Sequence, residues 1–201
     1  MFRYPFNHNL YTHTIMNQTV AIIILILLGV AIISFLISLY NKLVMLKFNV
    51  EKAYGNIDVI VKQRADEIPN LVNVAKHFMN YEENLLTRLT ELRTSYSTTT
   101  DADKKTEIAN ETSKALTSFF AVSENYPELK SNNNFLELQT RVSELENKIA
   151  DRREFFNDSV NLYNIGIHEF PNVLLAGMMG YNDRTLLEIA TEEKHYDGVR
   201  F

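Results

Sequence analysis

The chain has 201 residues with 20 Lys and Arg against 25 Asp and Glu, a net charge of −5. No basic excess is present to neutralise phosphates, so a nucleic-acid partner is not expected. The absence of Cys excludes a disulfide framework, a cysteine zinc site and thiol catalysis, and six Gly and four Pro are too few for the turns of an all-β sandwich or barrel.

Residues 1–19 form a short N-terminal extension without an acidic group and with little periodicity; Met16 is a possible alternative start. Residues 20–39 read VAIIILILLGVAIISFLISL, uncharged throughout, with Ser34 and Ser38 the only polar members. Twenty residues at about 1.5 Å each span about 30 Å, the thickness of a bilayer's hydrocarbon core. A buried helix of a soluble domain would keep a polar face, which this run lacks. The segment 20–40 is therefore predicted to be a transmembrane helix. A cleaved signal peptide is the competing reading. The run is too long for one, ends in Tyr40-Asn41-Lys42 without a small-x-small cleavage site, and passes directly into a helical pattern. Arg3 lies before the span and Lys42, Lys47 and Lys52 after it, which predicts an outside N-terminus and a cytoplasmic C-terminal domain.

The domain at 41–171 reads as a helical bundle. Leu43, Leu46, Val50, Ala53, Ile57 and Ile60 repeat at three and four. The phase then slips to Val61, Ala65, Ile68, Val72, Ala75 and Met79, just before Pro69. A proline is cheap only in a first turn, so one helix is expected to end near Arg64 and another to start near Asp66 as its N-cap. The alternative is three long helices, the first kinked at Pro69. The second helix carries Leu85, Leu86, Leu89 and Leu92 and runs to about Tyr96. Asp101 opens a third helix with Ile108, Ala115, Leu116, Phe119 and Val122, which stops before Tyr126-Pro127. The run at 131–134, SNNN, caps a fourth with the seam Phe135, Leu138, Val142, Leu145, Ile149, Phe156, Tyr163 and Phe170, in which Arg152 and Ser159 fill the remaining slots. Four amphipathic helices with short connections predict an all-α, up-down-up-down four-helix bundle. Residues 172–201 form an apolar segment, 173–181, followed by a polar tail.

Several motifs now stand in order. LYNKLV (39–44) follows the span; VEKAYGNIDVIVKQRADEIPNLV (50–72) resembles the LemA-family signature Ala-x-x-x-Ile-Asp-x-x-x-x-x-Arg-x-Asp-x-Ile-Pro-Asn-Leu-Val. YPELKSNNNFLELQ (126–139) and RREFFNDSVNLYNIGIHEFP (152–171) are similar to that family's central loop and its closing helix. The resemblance covers about residues 36–181. It implies one N-terminal membrane helix and a helical-bundle domain, with no established catalytic residue, cofactor or substrate.

The residues themselves agree in pointing away from catalysis. A di-iron bundle needs two Glu-x-x-His motifs, and the one match is Glu192-x-x-His195 in the tail; His77 and His168 are single. No nucleophile elbow or phosphate loop occurs. No cofactor and no metal is therefore expected. The polar residues within the motifs, Asp58, Arg64, Asp66, Asn70, Asn157 and Asn164, are read as register-fixing groups or a partner-binding strip. Arg152 and Arg153 are expected on a solvated face or in a pair with Glu146 or Asp158. Leu174, Leu175, Met178 and Met179 are candidate membrane-surface contacts, or else a plug for the end of the bundle. The predicted function is a non-enzymatic, membrane-anchored helical scaffold with a protein partner. The alternative is a regulatory subunit of a membrane enzyme such as a protease or kinase.

Overall fold

Helix α1 is His8–Ala75, 68 residues without interruption. It carries both the apolar run and the first seam of the bundle. The computed structural model describes residues 8–79 and 81–187, with side chains from residue 17 onward; the expectations that fall on Arg3, on the Met16 side chain and on the tail motif Glu192-x-x-His195 lie outside the described residues. After α1 come α2 (Glu83–Thr98), α3 (Ala102–Ser123), the single turn α4 (Pro127–Lys130), α5 (Asn133–His168) and α6 (Asn172–Met178), with no strand among the described residues. The all-α expectation holds.

The expected break between Arg64 and Asp66 does not occur, and Asp66 lies in mid-helix, exposed, rather than at an N-cap. The stripe that appears to slip is continuous: Ala53, Ile57, Val61, Arg64, Ile68, Leu71 and Ala75 are all buried, at spacings of three and four. Arg64 fills a slot of that stripe, and an arginine there disguises the period. Pro69 points outward. Its cost inside a helix, about 3 kcal/mol, is offset by its neighbours. Ile68, Leu71 and Val72 are at most 4 % exposed, and each such burial contributes about 1.5–3 kcal/mol. The helix ends instead at Ala75, where the backbone turns and Met79 packs into the core.

The chain falls into two compact units. The larger holds residues 48–162 and the segment from Arg184. Within it, Asp58 of α1 meets Tyr96 of α2 and Lys105 of α3, Arg64 meets Ser113 of α3 and Glu146 of α5, and Glu67 meets Arg141 of α5. These pairings place α3 parallel and α5 antiparallel to α1, and with Arg88 of α2 pairing Glu111 of α3 and Tyr96 beneath Lys105, α2 runs antiparallel to α3, the up-down-up-down order. The segments differ from expectation: the first bundle helix runs to Ala75, and α2 is correspondingly short. Ile68, Leu71, Leu89, Leu116, Phe119, Leu129, Phe135 and Val142 make the core. Leu129 enters from α4, an element the sequence pattern does not announce. Asp101 caps α3 by accepting from the N–H groups of Asp103 and Lys104, and Asn132 accepts from the Phe135 N–H at the start of α5, the latter as expected. The fully buried α3 positions are Ala109, Thr112, Leu116, Phe119 and Ser123, while Ala115 and Val122 pack against the core partly buried. Thr112 and Ser123 are tolerated there because each hydroxyl donates to its own helix, at 2.7 Å to the carbonyls of Ile108 and Phe120.

The smaller unit holds α1 up to Lys47 and residues 163–183. Its apolar run is unburied: Ile22 to Ile26 are 55–66 % exposed, and a window of it has none of its residues buried. The helix is long and apolar enough to cross a membrane. Below the run, the end of α5 packs on α1 at Gly166, where a Cβ would collide with the side chain of Leu46. A larger residue at 166 would make the end of the Leu46 side chain shift.

Candidate functional site

The polar residues of the signature divide between the bundle interior and its surface. Arg64 is 1 % exposed. One terminal nitrogen donates to Ser113 Oγ at 2.7 Å and to Glu146 Oε1 at 2.5 Å, and the other donates to the Ala109 carbonyl at 2.9 Å. Glu146 keeps about a third of its side chain in solvent. A buried guanidinium is costly unless paired, and three partners from two helices satisfy most of its donors. Glu146 thus serves Arg64, not Arg152 or Arg153 as expected. Arg152 is exposed, and Arg153 takes the seam slot assigned to it, 5 % exposed and donating to Asn110 Oδ1 at 2.7 Å.

Six residues before Arg64 on α1, Asp58 organises a second cluster. Its Oδ1 accepts from the Tyr96 hydroxyl at 2.6 Å and from Lys105 Nζ at 2.8 Å. Partial burial pushes the carboxyl up, but the hydrogen bonds from Lys105 and Tyr96 and the positive charges of Lys105 and Lys62 outweigh it and hold it below its ordinary value. Burial, and then the Asp58 carboxylate, push the Tyr96 phenol well above its ordinary range. Tyr54 closes the cluster, donating to the Ala102 carbonyl at 2.9 Å and meeting Phe156 edge-on. The space left among Tyr54, Asp58, Tyr96 and Lys105 is about 10 Å³, room for about one water. Tyr96, Lys105 and Glu146 are the partners sequence reasoning missed. Tyr96 and Lys105 follow no local spacing; they are found only once α2 and α3 are laid against α1.

The other candidates lie elsewhere. Asp66 and Asn70 are exposed, and Asn70 donates to Glu67, which pairs with Arg141. Asn157 binds both backbone groups of Leu187, donating to its carbonyl at 3.0 Å and accepting from its N–H at 2.9 Å, so it fastens the chain after α6. Asn164 is half-buried. The six residues therefore form no single strip. His77 and His168 are exposed, and His168 faces Asp183 at 2.9 Å. No three His, Asp or Glu converge among the described residues. A hollow of about 690 Å³ is an open trough along α2 between Lys76, Glu83, Glu91 and Ser95. Thr90 and Thr94 line it with hydroxyls donating to their own helix.

Helix α6 sorts the four membrane-surface candidates into two pairs. Leu174 and Met178 are 65 % and 85 % exposed, whereas Leu175 and Met179 are half-buried. Asn172 and Ala176, each 2 % exposed, form its inward side. Phe170, assigned to the α5 seam, is 82 % exposed; the helix ends at His168, so the seven-residue repeat no longer governs where it points.

The LemA family profile matches residues 53–201. Two magnetosome proteins MamQ (MamQ 1 and MamQ 2) of Paramagnetospirillum magneticum are each 24 % identical over 188 residues, covering 79 % of this chain and 68 % of theirs. The magnetosome protein MamQ of Magnetospirillum gryphiswaldense is 23 % identical over 181 residues, covering 76 % of this chain and 65 % of its own.

Proposed function

The chain belongs to the LemA family, and from that premise we propose that it is a non-enzymatic, single-pass membrane protein whose helical bundle acts at the cytoplasmic surface as a scaffold or interaction module. The observation that carries this reading is α1 itself. One helix supplies the unburied apolar run and the seam that closes the bundle core, so the anchor is part of the domain's own architecture rather than a detachable leader. In water, a run of large apolar side chains such as Ile22 to Leu28, each more than half exposed, would aggregate, whereas a bilayer accepts it with the backbone groups paired inside the helix. Membrane association is also what the magnetosome relatives suggest. The bias of Lys42, Lys47 and Lys52 supports a cytoplasmic bundle. The charged groups of the signature support a structural role for Asp58 and Arg64, because each is engaged by neighbouring helices. Asp66, Asn70 and Asn164 remain candidates for partner contact.

The test is recovery of the full chain from its own membranes in mild detergent. A scaffold brings down no single enzyme in equal amount. Recovery of one protease or kinase at one-to-one stoichiometry would replace the scaffold by a regulatory subunit.

A further inference from the structure

We propose that Phe170, Leu174 and Met178 form a second membrane contact, an apolar ridge that lies in the headgroup layer beside the span. The proposal rests on the reading that residues 20–39 cross the bilayer. Leu174 and Met178 stand at i and i+4 of α6, so they share one side, and they are 65 % and 85 % exposed; Phe170, just before the helix, is 82 % exposed. Their orientation is fixed from behind. Asn172 and Ala176 are buried, and Asn172 donates to the Gly166 carbonyl at 2.9 Å. The ridge therefore cannot turn inward as a plug without breaking that packing.

Its height follows from contacts with α1. Gly166 lies against Leu46, and Glu169 pairs with Lys42 at 2.9 Å, so this end of α5 descends antiparallel to α1 toward the span. Lys42 is three residues beyond Leu39, about 4.5 Å at a helical rise of 1.5 Å per residue. Phe170 follows Glu169 directly. Afterwards Tyr181 is back at Lys47, with Nζ 5.6 Å above its ring. Helix α6 is thus the part of this return nearest the hydrocarbon, at the depth where interfacial segments bury about 5–10 Å. Tyr40, half-exposed at the end of the run, suits the same layer. Residues 170–182 contain no charge, so the surface asks nothing of an ionic partner and offers only apolar area. The bilayer is the occupant this position and this chemistry fit.

The chain has no cysteine, so one introduced thiol labels uniquely. In the full chain, reconstituted in vesicles of phosphatidylethanolamine and phosphatidylglycerol, an environment-sensitive fluorophore is attached at Leu174→Cys or Met178→Cys. We expect blue-shifted emission, most of it quenched by a nitroxide near the lipid headgroup and little by aqueous iodide, without dependence on the phosphatidylglycerol fraction. Leu136→Cys, on the bundle, should show the reverse, and Leu28→Cys should be quenched by a nitroxide deep in the acyl chains. Quenching of positions 174 and 178 by iodide alone, or shielding from both quenchers, overturns the ridge while Leu28→Cys still reports the span. Failure at Leu28→Cys overturns the span and the ridge with it. Leu174→Ser/Met178→Ser should melt at the wild-type temperature; a lower midpoint would assign the ridge to internal packing and overturn the proposal.

Discussion

Replacing Arg64 by Met tests whether the signature arginine holds the bundle together. Methionine retains most of the apolar stem, so little cavity is created, and the loss falls on the hydrogen bonds to Ser113, Glu146 and the Ala109 carbonyl. Removing one member of a buried ion pair costs about 3–5 kcal/mol because the other is left uncompensated. Here Glu146 is 31 % exposed and water can reach it, so the lower end applies: about 3 kcal/mol, or about two orders of magnitude in the folding constant. Glu146→Leu added to Arg64→Met removes the stranded carboxylate and should recover most of the loss, because buried pairs exchange for apolar residues near neutrally. Urea denaturation of residues 42–201, followed by circular dichroism, reads both variants. Arg3 is the only charged residue before Lys42, so this fragment has 19 basic and 25 acidic residues, a net of −6 that favours solubility. A single variant within 1 kcal/mol of wild type, or a double variant no more stable than the single, would refute the claim that the arginine's worth lies in its pairing.

Four further outcomes are expected. The full chain stays in the membrane pellet after carbonate washing, since a spanning helix is not displaced by pH; appearance in the supernatant would contradict the span. Protease added outside intact cells leaves residues beyond Lys42 uncut, and their digestion would invert the proposed orientation. Ile149→Asp, placing a charge where the side chain is 2 % exposed, unfolds the bundle, while the exposed Lys104→Ala stays within about 0.5 kcal/mol of wild type; equal melting of the two would mean the α5 seam is misassigned. Asp58→Asn destabilises at pH 7. The native carboxyl ionises below its ordinary value, so its contribution is present above the unfolded pKa and is lost as pH falls through the folded one. The gap between Asp58→Asn and wild type should therefore close on acidification, and a gap independent of pH would deny the carboxylate its role.

The fold was legible wherever a helix's inward stripe is apolar. Val50, Ala53 and Ile57, or Phe135, Leu138, Val142 and Ile149, announce their period, and all are buried. The reading shifted wherever a polar residue occupies a slot of the stripe. Arg64 made a continuous α1 look broken, Thr112 and Ser123 were left out of the α3 seam, and Arg153 was passed over for its neighbour Arg152. The cause is the same in each case. Hydrophobic periodicity scores a side chain by its cost in an apolar medium, whereas the protein responds to that cost less the bonds it makes once buried. Thr112 and Ser123 bond back to their own helix, but for the charged residues the bonds come from 38 to 82 positions away, as with Tyr96 for Asp58 and Glu146 for Arg64. Spacing along one helix holds no record of them. The candidate residues show the same division. Asp58 and Arg64 were legible as unusual polar residues, but their partners became visible only when the helices were assembled. Phe170 stood in a seven-residue series, yet it follows the last turn of α5 and faces outward. A periodicity constrains a side chain only while the helix that generates it continues.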